Sequence, residues 1–171
     1  MECCFLQRDL AEIFIETLRS IIIDRPTVHP FILGDACPRT LRVSCPGHPT
    51  HRFLTEIDLD FPLVSGKGTQ YDRNNNIERI WIDDAADKMI LDESKIDWWA
   101  IWQLVIRLKR NLKQYSINST QSIVHEKLFN LIVKKANLTG ASFTEFNGAV
   151  SIDVKKNYNH HTHLHFNLKG D

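Results

Sequence analysis

Residues 5–23 carry Leu6, Leu10, Ile13, Phe14, Thr17, Leu18 and Ile21 at steps of three and four, the period of a helix with one apolar face. Asp24-Arg25-Pro26 ends that pattern, because the residue before a proline is pushed out of helical geometry. A loop holding Pro26, Pro30, Gly34 and Pro38 follows, then a short β-rich stretch over residues 40–45 and a break at Pro46-Gly47. Residues 55–61 alternate acidic and apolar side chains, which predicts a strand with Glu56, Asp58 and Asp60 on one face. Residues 65–76 read as a long polar loop and 77–82 as a short strand. Over 92–114 a wide stripe of Ile96, Trp99, Trp102, Leu104, Val105, Leu108 and Leu112 predicts a second helix. A short strand at 121–125, a helix from 126 to about 136, and strands at 149–154 and 162–168 complete the pattern. The expected fold is α+β, a small mostly antiparallel sheet with helices packed on one face.

At 171 residues, 43% hydrophobic and 25% charged, the chain has the make-up of a globular protein, and we read residues 1–171 as one domain. Lys and Arg total 21, as do Asp and Glu, so no overall field favours nucleic acid or an anionic surface, and no nucleic-acid partner is expected. No apolar run approaches membrane-spanning length, so no membrane span is expected. Charges interrupt the first residues every few positions, which predicts no signal peptide and a chain that is cytosolic at synthesis. Cys3, Cys4, Cys37 and Cys45 match no zinc-ribbon or redox spacing, and a Cys37–Cys45 bridge stays open.

Function must therefore lie in a local constellation, and the histidines offer one. Of eight, His160, His161, His163 and His165 crowd the start of the last strand. Alternation puts His161, His163 and His165 on one face. Thr162 and Leu164 interrupt the run, unlike an affinity tag. Upstream, His51 and Asp58 stand seven residues apart at a turn-to-strand transition. Zinc accepts imidazole nitrogen and carboxylate oxygen, and a catalytic site takes three protein ligands, leaving one position open. A His, Asp, His set suits Zn²⁺ better than the oxygen-seeking magnesium or calcium.

The paired pattern, His51 with Asp58 and then His160-x-x-His163-x-His165, resembles the penicillin-insensitive murein endopeptidase family, within the wider group of LAS-type zinc peptidases. The resemblance covers roughly residues 39–168, leaving the N-terminal helix outside it. It implies an LAS-peptidase-like fold and zinc ligands at His51, Asp58 and His165. It also implies His163 as catalytic base or transition-state stabiliser and His160 as a further active-site histidine. The implied activity is that of a zinc metallopeptidase hydrolysing an amide bond in peptidoglycan stem peptides or cross-links, with a cell-wall peptide as substrate. Leu54 replaces a glycine usual three residues after the first ligand, and an expected acid behind the metal falls at Glu56. No HExxH motif is present, so a histidine must do the work that glutamate does in helical zinc proteases.

Two other readings share these residues. His48-Pro49-Thr50 and His160-His161-Thr162 are both His-x-Thr, the paired signature of metal-independent 2H phosphoesterases, although Gly47 and Pro49 disrupt the first copy. A non-catalytic zinc-binding LAS-like domain is the third reading; His163 would then be superfluous, and a structural site would normally take four protein ligands. Trp98, Trp99 and Trp102 read as core, and Lys134, Lys135 and the basic run 107–110 as solvated helix ends. His29 and His125 read as structural or surface residues, His161 as a neighbour of the cluster facing solvent and His48 as part of the loop that shapes the cleft, while Tyr71 and Arg73 sit where a loop could polarise a substrate carbonyl.

Overall fold

A computed structural model describes residues 8–28, 31, 33–36, 56–69, 80, 92–115, 121–153 and 163–167. In chain order these form α1 (Arg8–Asp24), β1 (Leu33–Ala36), β2 (Glu56–Asp60), a 3₁₀ turn (Glu93–Lys95), α2 (Trp98–Gln114), β3 (Gln121–His125), α3 (Glu126–Lys135), α4 (Gly140–Asn147), β4 (Val150–Asp153) and β5 (His163–Asn167). The strands make a five-stranded sheet in the order β1-β2-β5-β3-β4. Every neighbour pair is antiparallel except β3 and β4, which run parallel. The fold is thus α+β with a small, mostly antiparallel sheet, as the hydrophobic pattern predicts. Among the described residues no helix is long and apolar enough to cross a membrane.

The two-residue period of the strands divides the sheet into an apolar and a polar face. Ile57 and Leu59 of β2, Leu164 and Phe166 of β5 and Val124 of β3 are fully buried on the first. Phe166 meets Phe14 of α1 edge-on, ring centroids 6.4 Å apart. Helix α2 packs on α1, and polar bonds fix their pairing: Asn111 Nδ2 donates to Thr17 Oγ1 at 2.8 Å, and Arg107 donates to Ser20 Oγ at 3.2 Å and pairs with Asp24. Thr17, counted in the apolar stripe, is buried because its hydroxyl also donates to the Ile13 carbonyl, at 2.8 Å. The basic residues expected to be solvated are mostly paired: Arg110 binds Glu145 of α4 at 2.5 and 2.6 Å, and Lys135 binds Glu93 at 2.6 Å.

Three elements depart from the expectation. The predicted helix over 92–114 is broken: Ile96 is extended (φ −100°, ψ 134°) and bridges Leu63, while Asp97 N donates to the Pro62 carbonyl at 2.8 Å. Asp97 then caps α2, its carboxylate accepting the Ala100 N–H at 3.1 Å. A tertiary bridge therefore overrides the helical periodicity and pins the segment that follows β2. Strand β1 forms where a loop was expected, as a short edge strand whose irregular register carries no hydrophobic alternation. Helix α4 begins at Gly140, where the previous helix was expected only to stop. Asn137, at φ 52°, ends α3 in the left-handed region, with Leu138 N donating to the Val133 carbonyl at 2.9 Å and Asn137 N to that of Lys134 at 3.3 Å. Ser142 Oγ then accepts the Thr139 N–H at 3.1 Å and restarts the helix. The expected strand at 40–45 lies outside the described residues, as does that at 77–82 apart from Ile80.

Trp98 is buried in the core, with Trp99 and Trp102 packed against it, and Arg25 lies 4.1 Å over the Trp99 ring while pairing with Asp97. Asp97 thus serves as both helix cap and ion-pair partner. Replacing Asp97 by alanine should cost about 2–3 kcal/mol, the sum of a cap and a charge-assisted bond. Asp97→Asn, which keeps the cap acceptor, should cost about half as much. Urea denaturation measures both, and equal losses would show that the cap contributes nothing.

Candidate metal centre

The polar face of the sheet holds the chemistry. On β2 and β5, Asp58 stands directly across from His165 and Asp60 across from His163. All four are buried: Asp58 and Asp60 are 0% exposed, His163 4% and His165 7%. Alternation puts them on one face, and the flanking Ile57, Leu59, Leu164 and Phe166 anchor the other face in the core.

Asp58 lies between the two rings. Its Oδ1 is 2.8 Å from Nδ1 of His165 and its Oδ2 is 3.6 Å from Nε2 of His163. Asp60 Oδ2 accepts the Thr69 N–H at 2.9 Å, which folds the loop after β2 back onto this face. Gly66, at φ 73°, makes the turn in that loop, and Gly66 N donates to the Leu63 carbonyl at 2.9 Å. Within this quartet two buried carboxylates face two imidazoles. A buried carboxylate is tolerated only when positive charge or hydrogen bonds compensate it. The Thr69 N–H supplies part of that compensation at Asp60, and a divalent cation would add to it at Asp58.

The donor set suits zinc, which binds imidazole nitrogen and carboxylate oxygen. Two atoms each ~2.0–2.1 Å from a tetrahedral ion stand about 3.3 Å apart, so the 2.8 Å pair needs to open by only about half an ångström. His165 turns Nδ1 toward Asp58 and would bind through that atom. Among the described residues no three His, Cys, Asp or Glu side chains are already drawn around one ion position. The predicted third ligand, His51, lies outside the described residues.

Of the predicted site residues, the fold thus brings together Asp58, His163 and His165. His160, His161, His48, His29, Tyr71, Arg73 and the four cysteines also lie outside the described residues, as does the side chain of Glu56. Two residues given no role in the site belong to this face. Asp60 follows Asp58 by two, so strand alternation alone placed it there. His125 ends β3 on the same parity as Ile123, which pairs with His165. Comparisons of the chain with known protein families, curated proteins and solved structures find no match.

Asp58→Ala and His165→Ala should each lose zinc on dialysis, whereas His163→Ala should retain it; elemental analysis after purification without added metal measures this. Because the ligands must be deprotonated, zinc affinity should fall as the pH is lowered. Retention of zinc by both ligand variants would rule the pair out as a metal centre.

Proposed function

We propose that this chain is a zinc-dependent hydrolase that cleaves amide bonds in peptidoglycan stem peptides or their cross-links. The observation that carries the reading is the buried Asp58–His165 pair with His163 alongside on the same sheet face. The substrate class rests on the resemblance of His51, Asp58, His160, His163 and His165 to the murein endopeptidase pattern.

In this reading Asp58, His165 through Nδ1, and His51 hold the metal. Zinc, when bound, brings the ionisation of water to near neutrality and draws charge from a carbonyl oxygen. The protein's own groups do the rest. Asp58 fixes the His165 ring by direct contact and draws Nε2 of His163 toward the same carboxylate. His163 Nε2 is the atom that takes a proton from the attacking water and returns it to the leaving amine. Burial of this quartet keeps bulk water from screening its charges. His160 is the further histidine that the resemblance implies. With no recognisable pair of glycosidase carboxylates in the sequence, an amide carbonyl suits the site better than a glycosidic bond.

The test is digestion of purified sacculi by zinc-loaded protein, with products resolved by mass spectrometry. Peptide fragments should appear while glycan strands stay intact, and chelator or His165→Ala should abolish release. His163→Ala should keep its zinc and lose turnover by about 10²-fold or more. New reducing sugar ends with intact peptides would overturn the reading. Chelator-insensitive phosphodiester cleavage would favour the paired His-x-Thr chemistry instead.

A further inference from the structure

Helix α1 carries two apolar stripes, and the fold of the chain uses one of them. Leu10, Ile13, Phe14, Thr17 and Ile21 are buried. Ala11, Ile15, Leu18 and Ile22 form the other stripe: Ala11 and Leu18 are half-buried, while Ile15 and Ile22 stay 46% and 49% exposed. At 3.6 residues per turn, this second stripe runs along the side of α1 opposite Glu16, Thr17, Ser20 and Asp24. Those four bond to Arg107 and Asn111 of α2 and to Tyr115 at its end. The second stripe therefore faces away from α2.

Its residues follow one another at steps of four, three and four, the spacing of a coiled-coil seam, in which the apolar side chains of one helix fit between those of another. The bordering charges decide what kind of helix fits. Glu12 and Arg19 stand along the outer border of the stripe, both exposed and one heptad apart. Glu12 also pairs with Arg8 one turn earlier, at 2.9 Å, and a carboxylate can accept from a second guanidinium. Arg19 pairs with no carboxylate among the described residues. The border is thus acidic toward the start of the helix and basic toward its end, which is complementary to its own reverse.

We infer that α1 is a homodimerisation helix, which docks antiparallel on α1 of a second copy of this chain. A twofold axis midway between Ile15 and Leu18 lays the stripe on itself: Ile15 meets Leu18 of the other copy, Ala11 meets Ile22, and Glu12 comes beside Arg19, each contact occurring twice. A parallel pairing would instead set Glu12 against Glu12 and Arg19 against Arg19. At the ends of the antiparallel pair Arg8 meets Arg25, whose charge Asp97 already offsets. One pair of 17-residue helices lies at the low end of interface sizes, below about 1,200 Å², so monomer and dimer interconvert with a dissociation constant of about 1–100 μM. The contact needs neither zinc nor the hydrolase reading.

Sedimentation equilibrium of the full chain from about 1 to 500 μM brackets that constant and should show dimer at the upper end. Ile15→Glu places two charges at the axis and should weaken association about 10-fold or more. Its melting temperature, measured where the protein is monomeric, should stay that of the wild type, because Ile15 is exposed in the single chain. Glu12→Arg and Arg19→Glu should each weaken self-association, whereas an equimolar mixture of the two should dimerise at least as well as the wild type, since both cross-pairs are then of opposite sign. These are surface changes and keep the test decisive should Ile15→Glu misfold. A chain that stays monomeric throughout overturns the inference, and that is the result expected if the stripe serves a different protein or a lipid surface. A dimer indifferent to Ile15→Glu and to both charge variants overturns it too, because another face would then form it.

Discussion

The pairing of β2 with β5 is the constraint on which the rest depends. Their register sets Leu59 against Leu164 and Ile57 against Phe166 on one side, and Asp58 against His165 and Asp60 against His163 on the other. A slip of one residue by either strand would turn that strand's two apolar side chains out of the core. At roughly 1.5–3 kcal/mol for each buried side chain, that loss is a large fraction of the stability of a domain. The hydrophobic face therefore holds the register, and the register holds the histidine–carboxylate contacts. Those contacts need not themselves stabilise the fold, since buried ion pairs often return little beyond their desolvation cost.

The helices contribute by making that face rigid. Phe14 reaches Phe166 from α1, and the polar bonds of Asn111 and Arg107 fix α2 against α1. The start of α2 then reaches back to the sheet through Asp97, Ile96 and the backbone bonds to Pro62 and Leu63. This is the segment that leaves β2 immediately after Asp60. Its return is closed by the Thr69 N–H on the Asp60 carboxylate. The polar face is thus held from the strand side by register and from the loop side by backbone bonds.

Much of this was legible in the chain. Alternation over residues 55–61 placed Asp58 and Asp60 together, and the interrupted histidine run placed His163 and His165 on one strand face. The periodicity of α1 identified its buried Leu10, Ile13, Phe14, Thr17 and Ile21, and that of α2 identified Leu104, Val105, Leu108 and Leu112 but not Ile101 or Ile106. What escaped had no periodic signal: β1 is a short edge strand with a break in register, and α4 depends on a two-residue restart after Asn137. The first turn over 92–95 was read as part of α2 because periodicity cannot register a bridge to Leu63, more than thirty residues earlier.

Local spacing by itself determined which side chains share a face, because a strand's period of two and a helix's period of 3.6 are properties of the backbone. It could not determine which strand lies beside which. Only the tertiary structure set β5 between β2 and β3, put Asp58 within 2.8 Å of a histidine 107 residues away, and made His125 a helix cap as well as a resident of the polar face. The physical reason is that those neighbours are chosen by burial of the opposite, apolar face, a free energy summed over the whole sheet and its helices.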